Sequence, residues 1–266
     1  LLILFLLITK KPIIFKTHYP ILTFTRGILF FLAFTSYYFS LSKLSLAMAI
    51  TLFFVSPFFI TILSFFILKE KIGIRRWLAL SFGFCGVFLV MDPNFDDFNI
   101  YTILPIFCAF GYAITMIIQK ITSDKDNLFS QTIHLQIFAL FLSSLIGIIL
   151  FFFQFNDNTD TEFLFLYRSW SLPSHYYLLI IFFIGIMCAI GFLCIFEAYR
   201  IGSPASVAPF EYILIFWALI ISWIIWRETL DFNAYIGLLM IISAGLYTFY
   251  REVQLKRKVS IDKPIR

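Results

Sequence analysis

The sequence predicts an all-α polytopic membrane protein, and three observations carry that reading. Of its 266 residues, 61% are hydrophobic and only 13% are charged, whereas a soluble domain carries about 45–50% apolar and about 25% charged residues. The basic residues fall almost entirely between long apolar runs. The runs are apolar on every side, as at 30–41 and 142–153, whereas a β-barrel strand alternates polarity over about ten residues. Backbone amides in lipid must pair inside their own segment, so each run is read as a helix.

Uncharged or nearly uncharged stretches lie at 1–9, 20–42, 44–68, 77–91, 98–119, 131–154, 176–199, 204–226 and 232–250. A span needs roughly 20 residues, so the length is used up by spans and short loops and leaves no room for a soluble catalytic domain. The first stretch has nine residues before Lys10 and begins with Leu1, too few to cross a hydrocarbon layer about 30 Å thick. The expectation is that the natural N-terminus lies upstream. Cys85, Cys108, Cys188 and Cys194 all fall inside apolar runs without metal-ligand spacing, so neither a disulfide framework nor a metal site is expected.

Assigning alternate loops to opposite sides sorts the basic residues. One side holds 17 of the 20 Lys and Arg, including Lys69, Lys71, Arg75, Arg76, Lys120, Arg200 and the cluster from Arg251 to Arg266; the other holds Lys43, Arg168 and Arg227. The positive-inside rule places the first side, with the C-terminus, in the cytoplasm. Residues 36–70 overlay 194–228 at an offset of 158 without a gap, with Glu70 on Glu228. The two copies end on opposite sides of the membrane, which makes an inverted-topology repeat, the architecture of many secondary transporters. The expected division is 1–92 for the first repeat, 93–252 for the second and 253–266 for a basic cytoplasmic tail.

Residues 22–90, which contain the RGLL-like run RGIL from Arg26 and end in KEKIGIRRWLALSFGFCGVFLV, and residues 197–252, which contain APFEY around Glu211, resemble the drug/metabolite transporter superfamily, specifically proteins with EamA domains. The resemblance is to alphaproteobacterial members, some of which take up S-adenosylmethionine or riboflavin. It implies ten helices in a five-plus-five inverted arrangement, both termini cytoplasmic in the bacterial inner membrane, and one helix and part of a second preceding Leu1. It also implies secondary active transport of a small metabolite by alternating access, with no cofactor. An exporter or exchanger of the same fold stays open, and a homodimer is compatible with small residues spaced for close packing at Ala79 and Gly83 and at Gly185 and Ala189.

Intramembrane ionisable groups are costly and usually functional, so they head the candidate list. Glu211 lies seven residues into the stretch beginning at Pro204, about 10 Å deep at 1.5 Å per residue, and is the candidate for substrate binding and proton coupling. A structural ion pair or hydrogen bond is the alternative. Pro209 and Pro204 remove helical donors before it and Pro57 does so in the first copy, so these prolines either open the helix for a ligand or kink it. Tyr37, Tyr38, Ser36 and Ser56 in the first copy and Tyr212 in the second offer rings and hydroxyls to a planar or cationic ligand. Arg26 either snorkels to the cytoplasmic surface or binds an anionic group. Glu197 and Arg200 share a helix face as an ion pair. Glu70 and Glu228 mark structural or gating contacts, and Gln119 and His134 read as ordinary helix-end polarity. With Arg26 snorkelling, deep acids outnumber deep bases, which favours a cationic, partly aromatic metabolite.

Competing classes lack their signatures. The sequence has no G-x-S-x-G elbow, no H-E-x-x-H and no pair of intramembrane aspartates for an embedded enzyme, no filter-like re-entrant segment for a channel, and no Walker sequence for ATP-driven transport.

Overall fold

A computed structural model describes residues 16–44, 46–70, 72–91, 100–152, 173–214, 217, 220, 224 and 232–261. Among the described residues every regular element is helical. Four helices among the described residues are long and apolar enough to cross a membrane: Pro20–Ser40, Ile103–Thr122, the Leu128–Ile149 part of Leu128–Phe152, and His175–Ile201. At 27 residues the last is about 40 Å long. Its large side chains from Tyr176 to Ile184 are exposed, which suits a helix whose surface is solvated by lipid tails.

Two of the expected spans are interrupted. The 44–68 stretch forms Leu46–Phe53 and Ser56–Ile67 with a turn at Phe54 and Val55 between them. Pro57 sits in the first turn of the second helix, where it has no N–H to give the Phe53 carbonyl and its ring excludes continuation of the first helix. The 204–226 stretch opens as a single α-turn, Pro204–Val207, and then tightens into a 3₁₀ segment, Ala208–Tyr212, with Pro209 at its start. The final helix, Phe232–Ile261, runs on into the segment expected as a basic tail.

The chain forms two compact units, and each is assembled from two separate stretches of the sequence. One comprises Leu1–Thr35 and Ile118–Ile201; the other comprises Ser36–Ile117 and Gly202–Arg266. In the second unit the Ile74–Met91 and Phe232–Ile261 helices pack closely enough that a Cβ on Gly86 would meet the Gly237 carbonyl oxygen at 2.7 Å and one on Gly83 would meet Ala244 at 3.2 Å. Absence of side chains lets the two backbones touch. Phe54, Leu80, Val87, Tyr212 and Ile241 form the core there, with Ile50, Phe58 and Trp77 against it. In the first unit Phe24 packs edge-on to Phe138 at 5.3 Å, Phe30 meets Phe192 edge-on at 5.7 Å, and the Phe192 ring lies tilted against Phe196 at 5.5 Å.

Candidate functional site

Glu211 sits in the 3₁₀ segment that Pro209 opens, half-buried rather than in the interior of a regular helix. The hydroxyl of Tyr112, from the Ile103–Thr122 helix, donates to Glu211 Oε1 at 2.9 Å. Tyr112 is itself buried. Its ring lies 5.4 Å from that of Phe53, which lies 6.0 Å from Tyr37, which in turn meets Tyr38 at 6.0 Å. Tyr38, at 62% exposure, meets this cluster through Tyr37. Tyr212 packs against Phe54 at 6.0 Å, and its buried hydroxyl has no hydrogen-bond partner among the described residues, as is also true of Ser56 and Ser64 Oγ. Phe53 and Phe54 are the residues that the offset of 158 lays on Glu211 and Tyr212. Phe54 and Tyr212, 158 residues apart, therefore meet where the two stretches are interrupted.

Glu70 occupies a different place in the same unit. The Ser56–Ile67 helix ends with Lys69 in the left-handed region (φ 55°), and the Glu70 N–H returns to the Ser64 carbonyl at 3.3 Å. That bond closes the helix end. So turned, Glu70 Oε2 accepts the Ser203 hydroxyl at 2.6 Å, and Arg76 Nη2 donates to Ser206 Oγ at 2.9 Å. Its repeat counterpart, Glu228, lies outside the described residues.

The first unit holds the remaining sequence candidates. Arg26 does not snorkel: it is 3% exposed, with its guanidinium carbon 4.8 Å from the centre of the Phe196 ring and Nη1 donating to the Gln131 carbonyl at 3.5 Å. The side chain turns inward because it meets an aromatic face and a carbonyl there, and the premise that favoured a cationic substrate goes with it. Glu197 and Arg200, three residues apart, make a bidentate pair at 2.6 and 2.8 Å. Gln119 is wholly buried and donates to Gln131 Oε1 at 2.6 Å, while Gln131 donates to Thr122 Oγ1 at 2.7 Å. This corrects the reading of Gln119 as ordinary helix-end polarity, because the amide faces a second helix and not water.

Sequence reasoning missed Tyr112 and Gln131, whose importance comes from partners 99 and 12 residues away. It also missed a cap outside the spans. Asp126, in the turn after Thr122, accepts from the Thr17 hydroxyl, and from the His18 N–H at 2.9 Å. Burial raises its pKa, but these hydrogen bonds outweigh burial and hold the carboxyl below the usual carboxylate range. Among the described residues no group of three His, Cys, Asp or Glu is placed to hold a metal ion.

Comparison with known proteins fits these features. The profile of the EamA-like transporter family matches residues 1–92 and 99–250. An S-adenosylmethionine uptake transporter of Rickettsia prowazekii is 26% identical over 89% of this chain and 74% of its own length. A riboflavin transporter of Vibrio cholerae is 25% identical over 79% of this chain and 64% of its own. A protein crystal structure superposes with TM-score 0.68 at 14% identity, covering 91% of this chain and 79% of that one, a likeness of fold alone. These names point to transport of small molecules and not to catalysis. Helical, multi-pass and matched by the family profile along nearly its whole length, the chain belongs to the EamA-like transporter family.

Proposed function

We propose that the chain is a secondary active transporter that carries a small metabolite across the bacterial inner membrane by alternating access, with its C-terminus in the cytoplasm and Glu211 as the proton-coupling group. The observation that carries this reading is the carboxyl of Glu211 in a proline-interrupted apolar segment, held by the Tyr112 hydroxyl at 2.9 Å. Interrupted helices with an ionisable group at the break are where transporters place substrate and coupling-ion sites. The Phe54–Val55 break overlays Tyr212–Ile213, at the end of the Ala208–Tyr212 segment, although Pro57 overlays Ile215 and not Pro209; this near coincidence supports an inverted repeat. Beside the second break lies an apolar cavity of about 390 Å³ lined by Pro209, Tyr212, Ile213, Ile241 and Leu246 among others. That volume is in the range of small-molecule sites, and it suits the apolar or aromatic part of a metabolite.

The test is flux into proteoliposomes bearing the full chain, with radiolabelled S-adenosylmethionine, riboflavin and amino acids, each with and without a pH gradient. Saturable, gradient-sensitive flux of one compound is expected. Glu211→Gln should insert normally and lose the response to the gradient. Ion leakage at channel rates without saturable flux refutes the transporter reading, and an unchanged pH response in Glu211→Gln refutes the role of that carboxyl.

A further inference from the structure

Arg26 is nearly sealed from solvent at 3% exposure and is held from two directions. The Phe196 ring lies 4.8 Å from its guanidinium carbon, and Nη1 donates to the Gln131 carbonyl. Its Nε and Nη2 groups have no hydrogen-bond partner among the described residues. These two N–H groups leave the same edge of the guanidinium in parallel, the fork geometry that grips both oxygens of a carboxylate. Arg200 shows that edge in use, with Nε on Glu197 Oε2 at 2.6 Å and Nη2 on Oε1 at 2.8 Å. The groups that hold Arg26 are the Phe196 ring and the Gln131 main-chain carbonyl, and neither carries a negative charge. A buried cation with two unmet donors is a costly arrangement. A monoanion with two oxygens resolves both the charge and the hydrogen bonds, whereas a phosphate dianion would leave a net buried charge.

We propose that the Nε/Nη2 edge of Arg26 is a carboxylate clamp that recognises the acid group of the transported metabolite. The proposal rests on the transport reading above and deepens it, since it selects carboxylate-bearing metabolites over neutral or purely cationic ones. The Phe196 ring and the Gln131 carbonyl fix the plane of the guanidinium before the ligand arrives, so little rotamer entropy is lost on binding.

The experiment uses the full chain in proteoliposomes with S-adenosylmethionine, its decarboxylated form, and riboflavin, which has no carboxylate. In the unsubstituted protein, removal of the carboxylate should raise KM by about 10- to 100-fold. Arg26→Met should abolish the difference between the two adenosyl compounds, and Arg26→Lys should lose most of it, since an ammonium has no fork. Equal KM for the acid and its decarboxylated form, or saturable riboflavin flux with none of the acid, overturns the clamp. If none of the three compounds moves, the transport reading fails for them, and melting of the solubilised chain decides Arg26 separately. Sodium acetate, compared with acetamide, should raise the Tm of the unsubstituted chain and leave Arg26→Met unchanged. Equal responses of the two proteins overturn the clamp. Without acetate, Arg26→Met should melt at or above the unsubstituted chain because it removes an unpaired buried charge; a large fall in Tm means that Arg26 is paired within the protein and also overturns it.

Discussion

Gly86→Ala tests the packing on which the Tyr212 region rests. A Cβ at Gly86 would lie 2.7 Å from the Gly237 carbonyl oxygen and 2.9 Å from Met240 Cβ. The first of these is backbone and cannot rotate away, so the two helices must part by about 0.7 Å to regain ordinary contact, and overpacking of this kind costs about 1–3 kcal/mol. Gly→Ala also raises helix propensity by about 1 kcal/mol, which would blur the result if Gly86 were measured alone. Gly191 supplies the comparison, because a Cβ there meets nothing within 4 Å. The propensity gain is common to both variants and cancels between them. The remaining difference of about 1–3 kcal/mol corresponds to roughly 2–12 °C in Tm for a chain of this size. The assay is thermal melting of both variants in one detergent, followed by flux, because on the same seam a Cβ at Gly83 would lie 3.3 Å from the Tyr212 ring. Gly86→Ala should melt below Gly191→Ala and carry less substrate. Equal melting temperatures for the two variants would refute the claim that the backbones touch at Gly86.

Two further outcomes follow from single contacts. Tyr112→Phe removes the hydroxyl that holds Glu211; a hydrogen bond to a carboxylate contributes about 1.5–3 kcal/mol, so gradient-driven flux should fall by about tenfold or more while flux down a substrate gradient alone changes less, and paired flux assays check this. Asp126 has a depressed carboxyl pKa in the folded protein, so the stability it contributes is fully present above its ordinary value of 3.8 and is lost as pH falls below that toward the native value. The Tm advantage of the unsubstituted chain over Asp126→Asn should therefore hold near neutral pH and shrink as the solution is acidified below about pH 4; a gap that does not change with pH removes Asp126 from the account of the cap.

How far the site could be read from the sequence differs residue by residue. Glu211 stands out because a carboxyl in a long apolar run is rare and costly, and Pro209 announces the break beside it through chemistry that needs no tertiary partner. Glu197 and Arg200 were equally legible, since three residues on a helix put two side chains on one face. Tyr112 gives no such signal: a tyrosine among apolar residues is common, and only the approach of the Ala208–Tyr212 segment makes its hydroxyl a partner for Glu211. Gln119 and Gln131 likewise look like helix-end polarity until two helices bring their amides within 2.6 Å.

Membrane residence and helical class were determined by the sequence alone, because both follow from composition and from the backbone's need to satisfy its own hydrogen bonds in lipid. The prolines marked where a helix could open or kink, because proline acts on its own helix, but that the 44–68 and 204–226 stretches are interrupted, and where, emerged only with the structure. The tertiary structure decided what each polar side chain faces. Arg26 has the length to reach water or to turn inward, and its direction depends on the Phe196 ring and the Gln131 carbonyl, which lie 170 and 105 residues away in the chain. Energies of that kind arise between elements distant in sequence, so they become readable only once the helices are packed.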